Sequence, residues 1–312
     1  MRANRAFFLE NISWGTKSDL LAIIAAMAEE TSTEKKQPKT RKQRIWEIDF
    51  LRGLAVLLMV IDHFLWDCKY LPQIFTNFQS IQNPFIGGLR DFAYGYWYHP
   101  ARYAAHLVFA GLFFILSGIS CSLSKNNFWH GAKILGAGII IDLSTYIIYW
   151  ITGTSSMTMI FNVLISLGFG VLVVALLNLI PMPKPLRGWL YIGLGAAIFV
   201  TCLMLDLYWI IDNATGTSSF QIEHLWDYIM GFQQWGSDYF SIIPYLAYTL
   251  IGAGIGVLVY QEKKTSLLPK LDGMWNRPVC FLGRNTLWVY LIHQIPLWII
   301  LGGLCLILGY RF

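Results

Sequence analysis

The chain has 312 residues, of which 56% are hydrophobic and 13% charged, and its mean hydropathy is +0.51. Soluble proteins carry roughly 45–50% apolar and ~25% charged residues, so the composition excludes disorder, a collagen-like fibre and a small disulfide scaffold, and argues against a soluble enzyme. The five cysteines (Cys68, Cys121, Cys202, Cys280, Cys305) are odd in number and scattered, which gives neither a disulfide framework nor a metal-ligand spacing, and no metal is expected.

Residues 1–45 differ from the rest. They hold nine Lys/Arg and five Asp/Glu and end in a basic run from Lys35 to Arg44. Asp19 to Met27 is a short amphipathic stretch suited to a membrane surface, and no cleavable signal is evident. The segment reads as a basic cytoplasmic tail, partly amphipathic, ahead of a membrane domain over residues 46–312.

Seven apolar runs follow, each long enough to cross a ~30 Å hydrocarbon layer at about 1.5 Å per residue. They fall near 48–66, 103–124, 131–152, 157–180, 189–211, 240–260 and 279–308, the last with a bend expected near Pro296. The expected fold is therefore all-α: a polytopic membrane helical bundle of about seven transmembrane helices. With a cytoplasmic N-terminus, the inner segments carry seventeen Lys/Arg and the outer ones four (Lys69, Arg90, Arg102, Arg311), leaving Arg52 and Arg284 within helices. That asymmetry sets the orientation and accounts for the net charge of +5 without nucleic acid. Thirteen Trp and sixteen Tyr suit two membrane–water interfaces. Two outer loops, Asp67–Arg102 and Asp212–Tyr239, exceed the length of simple connectors, which points to a site meeting an extracytoplasmic substrate.

The first run carries the chemistry. Arg52 and His63 are eleven residues apart, about 20° past three helical turns, so they share a face about 16 Å apart along the axis, flanked by Asp49 and Asp67. Ionisable residues at depth are costly, and a stripe of them implies a polar cavity with partners. His63 suits a base near neutral pH, with Asp67 one turn outward as its orienter; Asp62, about 100° round the helix, is the weaker candidate. In the last run Thr286 and His293 share a face, Gln294 adds an amide, and Arg284 lies near the inner end. Asp142 in mid-helix needs a partner, for which Arg52 is a candidate. Asp206 reads as wetted, the Glu223–His224–Asp227 group as a solvated loop with sugar or cation binding as the alternative, His130 as a residue near the inner interface neutral to function, and Ser117 to Ser124 as a small-residue packing surface. Asn213-Ala-Thr215 fits a glycosylation sequon.

Ile48-Asp49-Phe50-Leu51-Arg52-Gly53-Leu54-Ala55, with His63 eleven positions after the Arg, resembles the first helix of membrane acyltransferases. It is similar both to the acyltransferase-3 family and to heparan-alpha-glucosaminide N-acetyltransferase-like proteins of bacterial membranes. His63-Phe-Leu-Trp-Asp67, Phe114-Ile-Leu-Ser-Gly118-Ile-Ser120, Asp238-Tyr-Phe-Ser-Ile-Ile-Pro244-Tyr and Gly283-Arg284-Asn285-Thr286, continued to His293-Gln294, resemble the second family more closely. The resemblance implies an integral enzyme of the bacterial cell membrane that moves an acetyl group from cytosolic acetyl-CoA to a hydroxyl or amine of an extracytoplasmic carbohydrate. A homodimer is the assembly to look for. On the acyltransferase-3 pattern, Arg52 and His63 are the functional pair. On the lysosomal pattern an Asn matches His63 and the active His lies in the first outer loop, where this sequence offers His99 or His106. The site residues so implied are His63, Asp67, His99 and His293 for catalysis and Arg52, Arg284 and Asn285 for the donor. Whether an acyl-histidine forms stays open. The competing class is a transporter or flippase for a small anion or lipid-linked sugar, with the polar stripe as a proton relay.

Overall fold

A computed structural model describes residues 45–152, 158–205, 207, 221–233, 238–261 and 265–312. By its contacts the chain divides into Met1–Gln43 and Arg44–Phe312. The first unit lies outside the described residues, as do the expected amphipathic stretch, the basic run, Asp206 and Asn213. The described residues are helical and contain no strand.

Helix α1 (Trp46–Ile74) is 29 residues long. A short helix α2 (Pro84–Trp97) starts where the Asn83 side chain accepts hydrogen bonds from the backbone N–H groups of Phe85 and Ile86, with Pro84 in the first turn. Helix α3 (Pro100–Leu123) starts in the same way, the His99 ring accepting from Ala101 N–H. Then come α4 (Asn127–Thr152), α5 (Val163–Leu177), α6 (Lys184–Met204) and the single turn and a half of α7 (Leu225–Met230). Helix α8 (Ile242–Ile255) runs on as a π-helical turn, Gly256–Tyr260. The chain ends in α9 (Arg277–Arg284), α10 (Thr286–Ile292) and α11 (Gln294–Ile307).

Helices α4 and α5, consecutive in the chain, pack closely on each other. Helix α8 sits at the centre, packed on α3, α5 and α6, while α1 packs on α2, α3 and α9. Two backbone contacts set these spacings. A Cβ on Gly118 would lie 2.1 Å from the Thr249 carbonyl oxygen, and one on Gly283 would lie 1.7 Å from that of Asp49, so both helix pairs meet at distances only glycine permits. The surface read as a small-residue face is thus a packing face. One end of the bundle buries Leu71, Phe75, Ile86, Cys305 and Tyr310 together, and the other buries Ile45, Ile48, Leu116, Ile119 and Tyr260.

Among the described residues, five helices are long and apolar enough to cross a membrane: Pro100–Leu123, Asn127–Ile151, Lys184–Met204, Ile242–Tyr260 and Thr286–Ile307. Helix α1 is longer than any of them but carries Glu47, Asp49, Arg52, Asp62 and Asp67, and α5 is apolar but has 15 residues. The last apolar run is broken twice, at Asn285 and at His293. The second break has a local cause: Pro296 has no N–H to donate to the carbonyl of Ile292, so the ladder opens before the proline.

Two pairings differ from the expectation. Asp142 does not meet Arg52. Its carboxylate accepts from Asn162 Nδ2 (2.5 Å) and from Phe161 N–H (2.9 Å), while the Asn162 carbonyl oxygen caps α5. The chain reverses between α4 and α5 and needs those backbone donors satisfied, and Asp142 is the group in reach. Arg52 instead donates to Ser120 Oγ and lies 3.8 Å from Asp49 Oδ1. It ties α1 to α3.

Candidate active site

A cavity of about 150 Å³ opens between α1, α2, α3 and the start of α8. Apolar residues from α1 and α3 line most of it, among them Val56, Met59, Phe109 and Phe113. Its polar members are Asp62, His63, Tyr96, Arg102, His106, Asp238 and Tyr290.

His63 Nδ1 is 2.9 Å from the carbonyl oxygen of Met59, one turn back on its own helix. A carbonyl only accepts, so Nδ1 carries a proton and donates it. The arrangement repeats at His293, whose Nδ1 is 2.7 Å from the Tyr290 carbonyl, while its Nε2 is buried with no partner among the described residues. The two rings meet edge to face, 4.8 Å between centroids. His63 lines the cavity and His293 stands against its ring.

Asp67 is buried, but it does not orient His63 through a hydrogen bond. Both its oxygens accept from Gln294 Nε2, at 2.8 and 2.7 Å. Gln294, just past His293, reaches α1 with its side-chain amide. Asp67 therefore holds the Gln294 side chain, next to His293.

Asp62, unlike Asp67, lines the cavity. Its two oxygens accept from Arg102 Nε (3.2 Å) and Nη2 (2.8 Å), and the first also accepts from Tyr96 hydroxyl (2.9 Å). Arg102 is buried, its guanidinium 3.5 Å from the centroid of the Trp97 ring, and its Nη1 is buried with no partner among the described residues. Burial and the adjacent Asp62 carboxylate push the Tyr96 phenol up to about 12, so it remains a donor at neutral pH. Tyr290 hydroxyl donates to Asp238 Oδ2 at 3.0 Å, closing the far wall.

The other expected residues fall elsewhere. His99 is exposed and caps α3, away from the cavity; of the two loop histidines the structure brings in His106. Arg284 is exposed at the end of α9, and Asn285 Nδ2 donates to its own helix at Phe281 O (2.8 Å). Neither lines the cavity. His224 pairs with Asp227 at 2.9 Å in a partly exposed loop. All five cysteines are free and buried, and no metal-binding cluster occurs among the described residues. Sequence reading passed over Arg102, counted as one outer-loop cation, and Tyr96, counted as one loop aromatic. No spacing rule links either to Asp62, because the link is made by the α2–α3 turn.

The family model described as "Heparan-alpha-glucosaminide N-acetyltransferase, catalytic" matches residues 44–295. The chain belongs to that family. The match spans α1 to the start of α11 and takes in both histidines and every residue that lines the cavity. It bears out the second of the two resemblances seen in the sequence. With membrane-competent helices, it makes the protein a membrane acetyltransferase of the heparan-alpha-glucosaminide N-acetyltransferase type. No curated protein and no solved structure matches.

Proposed function

We propose that the protein transfers an acetyl group from cytosolic acetyl-CoA to an amine or hydroxyl of an extracytoplasmic sugar, with the chemistry at His63. The single observation that carries this reading is an imidazole, held through Nδ1 on the Met59 carbonyl, lining a largely apolar cavity inside the region matched by the acetyltransferase family. The family's description names an amino sugar, which favours nitrogen over oxygen as the acceptor atom.

A thioester is already activated, so the protein must position it, take a proton from the acceptor and stabilise the oxyanion. In the proposed step the acceptor nitrogen or oxygen attacks the thioester carbonyl and its proton passes to His63 Nε2. The carbon–sulfur bond then breaks, and the leaving thiolate takes up that proton. Arg102 Nη1 is a buried donor with no partner among the described residues, suited to the developing negative charge, and Asp62 and Trp97 hold the guanidinium in place. Tyr96 hydroxyl adds a second fixed dipole beside it. A dry, apolar wall strengthens each of these interactions. Arg52, which binds Ser120 below the cavity, is proposed to meet the anionic part of the donor.

The test is transfer of isotope-labelled acetyl from acetyl-CoA by purified protein across a panel of amino sugars and polysaccharide fragments. Labelled product formed by the wild type and lost in His63→Ala supports the reading. Uptake or release of solute by vesicles without any labelled product points to the transporter class instead.

A further inference from the structure

The connector before α9, residues 265–276, turns large apolar side chains outward along most of its length. Leu267, Leu268, Leu271, Met274 and Trp275 are exposed, the last two at 77% and 62%. So many exposed apolar side chains on one short connector mark a surface that something covers. The loop is nonetheless fixed. Glu47 Oε1 accepts from Leu267 N–H at 2.6 Å, Trp46 Nε1 donates to the Leu268 carbonyl at 3.1 Å, and Trp275 Nε1 donates to that of Leu271 at 2.9 Å. Trp275 also packs on Phe50, with ring centroids 5.3 Å apart. That contact folds the loop back along α1 to the level of Asp49, where Gly283 meets the helix.

Helix α9 continues the surface. Arg277, Phe281 and Arg284, at spacings of four and three, share one face of it, and all are exposed. Trp288, four residues further on, extends the stripe and is exposed too. None of Lys270, Arg277 and Arg284 makes an ion pair among the described residues, whereas Arg52, Arg90 and Arg102 each face an aspartate.

Depth follows from the next segment. Thr286–Ile307 is a membrane-competent span of 22 residues, about 33 Å at 1.5 Å per residue, which suffices for the ~30 Å hydrocarbon layer. Arg284 stands about 3 Å before that span and Arg277 about 10 Å further out. Each headgroup layer is about 5–8 Å thick, and an arginine extends its guanidinium along the surface to reach it. Both guanidiniums are within reach of lipid phosphates.

We infer that α9 and the connector before it bind an anionic phospholipid. Arg277 and Arg284 hold its phosphate, Lys270 adds charge from the connector, and the connector's apolar side chains enter the upper acyl-chain region. A lipid fits better than a soluble anion, because the Arg277–Trp288 stripe runs straight into a membrane-competent helix. It fits better than a second copy of the chain, because a two-fold contact would set the same cations against each other. The inference is independent of acetyl transfer, and loss of turnover in His63→Ala does not touch it.

Native mass spectrometry and melting curves of the detergent-purified full chain test it, with dioleoyl-phosphatidylglycerol, dioleoyl-phosphatidylcholine and glycerol 1-phosphate as probes. Phosphatidylglycerol is expected to bind and to raise the melting temperature. Phosphatidylcholine, with no net charge, and glycerol 1-phosphate, with no chains, should each bind at least about tenfold more weakly. One basic residue near an anionic surface is worth about fivefold in affinity. Arg277→Gln and Arg284→Gln should each lose that factor, and the double variant about 25-fold. The lipid-free melting temperature of the double variant checks its fold, and if it falls, Lys270→Gln on the connector carries the test with its own fivefold loss. Equal binding of the two lipids by the wild type, or equal phosphatidylglycerol binding by wild type and folded variants, overturns the inference. So does a disulfide-linked dimer of Phe281→Cys, which gives the face to a second copy.

Discussion

His63 and His293, on opposite ends of the membrane domain's sequence, meet edge to face with ring centroids 4.8 Å apart. Each ring gives its Nδ1 proton to a backbone carbonyl of its own helix, which fixes how the two rings stand against each other. Only His63 lines the cavity, so in the proposed reaction His63 is the base and His293 stands as the wall against its ring.

Removing a general base costs about 10²–10⁴-fold in rate. His63→Ala is therefore expected to lose acetyl transfer by that factor while its Kd for acetyl-CoA stays near the wild-type value. His293→Gln keeps a polar side chain in place and is expected to lose less, and the exposed His99→Ala to keep near wild-type turnover. All three belong in one transfer assay. Wild-type turnover in His63→Ala together with its loss in His99→Ala would sink the assignment and restore the outer-loop histidine.

Asp62 and Arg102 form a buried ion pair, with side-chain exposures of 17% and 4%. Breaking such a pair from one side costs about 3–5 kcal/mol, because a buried charge is left uncompensated. Arg102→Ala should thus lower the unfolding temperature in detergent sharply, and Asp62→Asn combined with Arg102→Gln should recover part of the loss. Additive losses in the double variant would show that the two residues do not act as a pair.

Arg52→Lys keeps the charge but loses the guanidinium's fork, which reaches Ser120 on α3. Weaker acetyl-CoA binding with a small drop in thermal stability is the expected result of isothermal titration and a melting curve. Unchanged binding with a large drop in stability assigns Arg52 to helix packing alone.

Gly283 has no room for a methyl group, since its Cβ would meet the Asp49 carbonyl oxygen at 1.7 Å. Gly283→Ala is expected to cost at least the ~1–3 kcal/mol of an overpacked core. A Cβ on Gly303 meets nothing within 4 Å, so Gly303→Ala serves as the control, neutral or slightly stabilising in a helix. Equal melting temperatures for the two variants would contradict the close contact of α1 and α9.

Cysteine labelling tests the orientation. The five native cysteines are buried, so the background is low. A cysteine at position 99 should be labelled from outside the cell and one at 264 only from inside. The reverse pattern exchanges the donor and acceptor sides.

The sequence by itself determined the class of the protein: helical, membrane-embedded, and carrying an Arg–His stripe on its first helix. Those features rest on composition and on the 3.6-residue period, which are properties of one segment at a time. The family resemblance was legible for the same reason, since its motifs are local. What only the tertiary structure decided is which side chain meets which. Asp67 was assigned to His63 by spacing along one helix, but the Gln294 amide, from the last apolar run, donates to both its oxygens. Asp142 was left to seek Arg52 across the bundle, and the α4–α5 turn satisfied it instead. Asp62, discounted because it points away from the Arg52–His63 face, points at Arg102 and Tyr96, which the α2–α3 turn carries to it. A buried charge must find its partner among all the helices packed around it, and helical periodicity gives the direction of a side chain without giving what stands there.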